Sequence, residues 1–139
     1  MNEQLALPER LQQVFEPDAR GVVGVVEELL GLCQEQGLRL EWHADRCTAG
    51  GMLHGGALMG LADAAGGLCA FLNLPEGATG TATISSATNF LRGVRGGHVE
   101  AVARALQVGR TVIVVETELR DADGRAAVKV TQTQAVLRS

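Results

Sequence analysis

Apolar and polar positions along this 139-residue chain fall into blocks with two different patterns. Residues 38–44, LRLEWHA, alternate apolar with polar, as a strand with one buried face does. Four later runs also read as strands: ATGTATISSATNF, HVEAVARALQV, TVIVVETELR and RAAVKVTQTQAVL. The connections between them are RGVRGG, Gly109-Arg110 and Asp121-Ala-Asp-Gly124, and the Asp123-Gly124 pair is a strong hairpin signal. Such short links predict antiparallel neighbours in sequence order, a four-strand meander. Upstream, Pro8 followed by ERLQQVF predicts a short helix, and VVGVVEELLGL from Val22 a second. LGLCQEQ reads as a hairpin partner for LRLEWHA. These features suggest an N-terminal helical segment at residues 1–28 and one domain over 29–139.

The stretch MLHGGALMGLADAAGGLCAFLNL, Met52 to Leu74, is apolar or glycine on almost every side, yet it carries Asp63. A helix of that kind is a buried helix. A sheet of five or six antiparallel strands cannot leave both faces bare. The predicted fold is therefore α+β, with the sheet wrapped around this one hydrophobic helix. The stretch is also long enough to span a bilayer. Asp63, costing roughly 3 kcal/mol near the centre of a span, the glycines and the lack of flanking Lys or Arg favour a core helix.

Composition narrows the setting. With 46% hydrophobic and 20% charged residues, the chain suits one core. The twelve Lys and Arg lie scattered among sixteen acids, for a net charge of -4. No basic stripe offers itself to nucleic acid or a membrane, so the expected partners are small molecules or further copies of the chain. Cys33, Cys47 and Cys69 form no CxxC pair and have no His at metal-ligand spacing. No metal or cofactor is expected. Reduced thiols, and an N-terminus unlike a signal peptide, suggest a cytoplasmic location.

The start of the apolar helix suggests the chemistry. Gly55 and Gly56 have no side chains to obstruct approach, and the first N–H groups of a helix lack intrahelical acceptors. With the helix dipole they can hold an oxyanion, although glycines at such a place often merely permit a tight turn. Asp63, nine residues after His54, is a candidate base. Gly56 and Asp63 are seven residues apart, about 10 Å along a helix, so one carbonyl can hardly touch both within one chain. Two helices packed about a two-fold axis along Gly56, Gly60 and Ala64 would bring the Gly56 of one copy to the Asp63 of the other. Interior glycines such as Gly60, Gly66 and Gly67 each cost about 1 kcal/mol relative to Ala, which suggests that a backbone or a ligand comes close.

GGMLHGGALMGLADAAGG, Gly50 to Gly67, followed by ATISSATNFLRGVRGGHVEAVARALQVGRTVIVVETELRDADGRAAVKVTQTQAVL, resembles the hotdog-fold acyl-CoA thioesterases of the PaaI-like group. The resemblance covers roughly Leu29 to Leu137. It implies a helix wrapped by a sheet, homodimers joined edge to edge and commonly paired again as tetramers, and hydrolysis of an acyl-CoA thioester. It assigns Asp63 as nucleophile or general base, Gly56 and Gly55 as oxyanion donors, and His54 as an anchor of the helix start. A thioester carbonyl is electrophilic and its thiolate leaves readily, so one base and one donor suffice, without a metal or a Ser-His-Asp triad. An acid in an apolar pocket is expected to have a raised pKa.

Three positions depart from that pattern. Thr48 stands six residues before the His, where the family usually carries Asn or Gln. Gly67 replaces the hydroxyl residue found four places after the acid in the 4-hydroxybenzoyl-CoA branch, and Gly93 replaces the usual Pro after NFLR. Ser85 or Ser86, on a hydroxyl-rich strand, is a candidate for touching substrate or pantetheine, against ordinary strand propensity. Arg92 and Arg95 are candidates for CoA phosphates, against idle surface arginines. The alternative to an enzyme is a non-catalytic module of the same fold that binds acyl-CoA or serves in assembly.

Overall fold

A computed structural model describes residues 38–139 of the chain. The helices expected at Pro8 and Val22, the LGLCQEQ hairpin partner and Cys33 lie outside the described residues. The described elements are strand β1 (Leu38–Glu41), a single 3-10 turn (Ala44–Arg46), helix α1 (Gly55–Leu72) and strands β2 (Gly80–Phe90), β3 (His98–Val108), β4 (Val112–Asp121) and β5 (Ala126–Leu137).

The five strands form one antiparallel sheet in the order β1-β3-β4-β5-β2. β3, β4 and β5 are the expected meander. The tight turn from Asp121 to Arg125 holds Gly124 at φ 79°, and the Asp121 carboxylate accepts the Asp123 and Arg125 N–H groups at 3.0 and 2.9 Å. β2 departs from the expected order. It does not pair with β3 but with β5, from Gly80 opposite Leu137 to Phe90 opposite Val128. The connection over residues 91–97 is the reason. Seven extended residues reach about 23 Å, enough to cross three strand spacings of about 4.8 Å each. Its path is pinned where Leu91 and Arg92 donate to the Ala127 carbonyl, and where Val94 is buried.

β4 shows the clean alternation of a strand with one core face: Ile113, Val115, Thr117 and Leu119 are fully buried. Val128, Val130, Gln132 and Gln134 of β5 lie on the same inner face. α1 packs on that face, mainly against β3 and β4, and buries Leu58, Leu61, Ala62, Ala65, Gly66 and Ala70. The helix is long and apolar enough to cross a membrane, but that side of it packs against the sheet. Its other side departs from the expectation of a helix covered all round. Gly56, Met59, Gly60, Asp63 and Leu72 are exposed in the single chain. On the outer face of the sheet Glu116 pairs with Lys129 at 2.7 Å and Arg104 at 2.8 Å, the salt-bridged surface of a solvated face.

Candidate active site

The helix start is held by two loops. Cys47 and Leu53 form an antiparallel bridge, and Thr48 at its tip donates its N–H to Met52 O at 2.8 Å. Trp42 Nε1 donates to Gly51 O at 3.0 Å and Arg95 Nη1 to Gly50 O at 2.8 Å, so two long side chains brace this turn. Leu53 N–H reaches Val94 O at 2.9 Å, tying the turn to the crossing connection. Gly93 leaves room there for Met52, whose sulfur would lie 2.5 Å from an added Cβ. That contact accounts for glycine at a position where the family usually has proline.

His54 ends this lead-in with an extended backbone, φ -64° and ψ 135°, as the N-cap of α1. Its Nδ1 accepts the Gly56 N–H at 3.0 Å, while its carbonyl accepts Ala57 and Leu58 at 3.0 and 3.2 Å. Of the first four N–H groups of the helix, three are thus engaged. The Gly55 N–H has no acceptor among the described residues. The Phe90 ring lies beside it, 3.1 Å from where a Gly55 Cβ would stand, and is half exposed.

Asp63 lies two turns further along α1. Burial around it, expected from its apolar neighbours, is absent in the single chain, because the carboxylate sits on the exposed side of the helix. It is nonetheless held. Gln132 Nε2 donates to Oδ1 at 2.7 Å, and Thr83 Oγ1 donates to the same oxygen at 3.3 Å. Behind Thr83 the chain of donors continues: Gln134 Nε2 donates to Thr83 Oγ1 at 2.7 Å, and Thr81 Oγ1 to Gln134 Oε1 at 2.7 Å. Among the described residues no hydrogen bond reaches Oδ2.

Gly66 shows why a glycine stands on the buried side of α1. A Cβ there would overlap the Gln132 side-chain carbonyl, with Gln132 Cδ at 2.9 Å. The close approach expected at this glycine is therefore made by a side chain. Among the described residues, nothing lies within 4 Å of a Cβ added to Gly60 or Gly67. The Gln132 Oε1 facing Gly66 is buried without a partner among the described residues, as is Thr117 Oγ1 nearby. An unmade hydrogen bond of that kind costs about 1–3 kcal/mol.

Other sequence candidates are placed less directly. Ser86 pairs with Gln132 and shares the inner face with Thr83, whereas Ser85 points to the outer face. The reason is a bulge between Thr83 and Ser85, which shifts the alternation by one. Arg92 is exposed at the start of the crossing connection. Thr83, Gln132 and Gln134 were not singled out from the sequence. One signal was available: in RAAVKVTQTQAVL both glutamines fall in phase with Val128 and Val130, and polar residues at core positions are uncommon. Cys69 is a poor nucleophile, since burial raises its thiol pKa. Among the described residues no three His, Cys, Asp or Glu side chains are grouped to hold a metal.

An open helix-start amide and a held carboxylate on one glycine-rich helix, inside a curled antiparallel sheet, define a hotdog-fold protein. Residues 50–128 match the Thioesterase superfamily, and the chain belongs to that family. A Pseudomonas aeruginosa protein, PA1618, provisionally named an esterase, is 37% identical over 87 residues, which is 63% of this chain; the match spans 60% of that protein's length. A solved mutant of PA1618, there named a thioesterase, gives a TM-score of 0.67 at 32% identity, covering 71% of each chain. A hypothetical thioesterase from Streptococcus pneumoniae, solved with coenzyme A, gives 0.63 at 26% identity, over 73% of this chain and 78% of that one. The PaaI protein of Escherichia coli, from the phenylacetic acid degradation operon, shares the fold with a TM-score of 0.65 at 19% identity, over 71% and 70%.

Proposed function

We propose that this protein hydrolyses acyl-CoA thioesters in a site completed by two copies of the chain. The observation that carries the reading is the state of Asp63. Two donors occupy Oδ1 and leave Oδ2 for reaction, on a helix whose first N–H, that of Gly55, has no acceptor among the described residues. In a member of the Thioesterase superfamily, with a relative solved in the presence of coenzyme A, this pairing suits acyl transfer to water.

Asp63 Oδ2 acts either as nucleophile or as general base. As base it takes a proton from water while the water oxygen attacks the thioester carbon. Negative charge develops on the carbonyl oxygen and is held by helix-start amides, Gly55 directly and Gly56 when His54 releases it. The tetrahedral intermediate collapses, the C–S bond breaks, and CoA thiolate leaves and takes up a proton. Thr48, in the turn before the helix, is the candidate to orient the carbonyl or the water through its hydroxyl, in place of a longer amide side chain. Ser86 is the serine suited to face substrate. Arg92 is a candidate for the CoA phosphates, while Arg95 braces the Gly50 turn.

Two copies are required because Gly56 and Asp63 of one chain are separated by about 10 Å of helix. The exposed Gly56, Gly60 and Asp63 stripe supports a second helix alongside. The edge of β2, eleven residues long and unpaired among the described residues, supports edge pairing into a homodimer, and a pair of such dimers would make a tetramer.

The test is thiol release from a panel of acyl-CoA esters, comparing the parent with Asp63→Asn. The expected result is turnover of at least one ester, lowered by 10²–10⁴-fold in the variant, with circular dichroism unchanged. A parent that binds CoA and turns over no ester, or a variant as active as the parent, would refute the proposal.

A further inference from the structure

We propose that Gln132, seated against Gly66, is a positioning residue that holds the Asp63 carboxylate by Oδ1 and so presents Oδ2 as its reactive oxygen. The inference rests on the hydrolytic reading of Asp63 and adds to it two residues whose roles are not evident from the motif. An amide beside a carboxylate must turn its nitrogen toward it, since oxygen against oxygen repels. Gln132 Nε2 therefore donates to Asp63 Oδ1, and its own oxygen is forced into the cleft at Gly66, buried and without a partner among the described residues. The fold accepts an unpaired carbonyl oxygen in order to keep this donor on Asp63. A side chain maintained only for stability has no reason to sit this way, because a methionine of similar length would fill the same cleft with no orphaned atom.

The second arm is directional too. Thr83 has one hydroxyl proton. Gln134 already donates to Thr83 Oγ1, so that proton is available for Asp63. Both arms end on Oδ1, holding the carboxylate in place and leaving Oδ2 without a donor among the described residues. Nothing else in the described residues performs that task. Thr83 and Ser86 of β2, Thr117 of β4 and Gln132 of β5 face this part of the helix and are uncharged. β3 presents alanines on its inner side. On α1 the other titratable groups are His54 at the cap and Cys69 almost two turns beyond. No ion pair involves Asp63 among the described residues.

Gly66 is the other half of the device. The atom that a new methyl would meet is the far end of a flexible side chain, so Gly66→Ala should push the Gln132 amide aside rather than unfold the helix. Two unlike substitutions, one on β5 and one on α1, thus break the same hydrogen bond.

The experiment reads the Asp63 carboxyl signal by carbon-13 NMR at one neutral pH in the full-length parent, Gln132→Met and Gly66→Ala, with Asp63→Asn to assign it. The kcat and KM for an acyl-CoA ester are measured in parallel. The proposal expects the signal to move in both variants as its hydrogen bond is lost, kcat to fall by roughly 10-fold with KM little changed, and the Tm of Gln132→Met not to fall. A carboxyl signal unchanged in the variants, or a Gln132→Met protein that melts lower with its signal unmoved, overturns it. If one variant does not fold, the other decides. The hydrolytic reading fails separately, through an Asp63→Asn variant that keeps full turnover, and the carboxyl signal still reports whether Gln132 holds the carboxylate.

Discussion

His54 Nδ1 accepts the Gly56 N–H at 3.0 Å, so the histidine of the HGG stretch caps the helix that it introduces. The same bond withholds one of the two amides that the motif offers to a ligand. His54 thereby influences both the stability of the helix and the supply of donors at its start.

Replacing the histidine separates the two effects. His54→Ala should cost about 1 kcal/mol of stability, the usual loss on removing an N-cap side chain, and His54→Asn should restore most of it. Urea unfolding measures both. An alanine variant as stable as the parent would mean that the cap contributes nothing.

Gly55 can be deprived of its N–H without deforming the helix. It occupies the first helical position, where proline is favoured, and His54 before it already has the extended backbone that a following proline demands. The Cβ added there would meet the half-exposed Phe90 ring, which has to give way. Gly55→Pro should keep the fold and lower kcat by roughly 10²–10³-fold. A proline variant with parental kcat would remove Gly55 from the oxyanion hole.

Acid should loosen the outer face of the sheet. Hydrogen bonds from Lys129 and then Arg104 hold the Glu116 pKa below its ordinary 4.5, and the Arg125 backbone N–H chiefly holds Asp121 below 3.8. A carboxylate with a lowered folded pKa contributes stability that is fully present above its unfolded value and lost as pH falls through the folded one. The Tm is expected to change little on these groups' account down to about pH 5 and to decline below about pH 4. Glu116→Gln should show a shallower decline. An equally steep decline in the variant would contradict this account.

Much of the fold was legible because its elements carry local signals. HVEAVARALQV coincides with β3, His98–Val108, and the Asp123-Gly124 turn joins β4 to β5. The place of β2 was not legible. Whether residues 91–97 fold back as a hairpin or cross the sheet depends on Val94 finding a buried position and on the Ala127 carbonyl, neither of which is local. Of the candidate site, His54, Gly55, Gly56 and Asp63 stand in one continuous stretch, so they could be proposed from the sequence alone. Thr83 was passed over for Ser85 and Ser86, since one bulged residue decides which hydroxyls face inward. Gln132 lies 69 residues from Asp63, and its role follows only from the space left by Gly66.

The shared site is the central claim, and subunit complementation tests it most directly. Asp63→Asn and Gly55→Pro chains, each strongly impaired alone, are unfolded together, refolded and assayed, with mixed dimers verified by native mass spectrometry. A mixed dimer pairs the intact helix start of one copy with the intact Asp63 of the other. Random mixing should therefore restore roughly a quarter of parental activity. Mixed dimers no more active than either variant alone would contradict a site built from two chains.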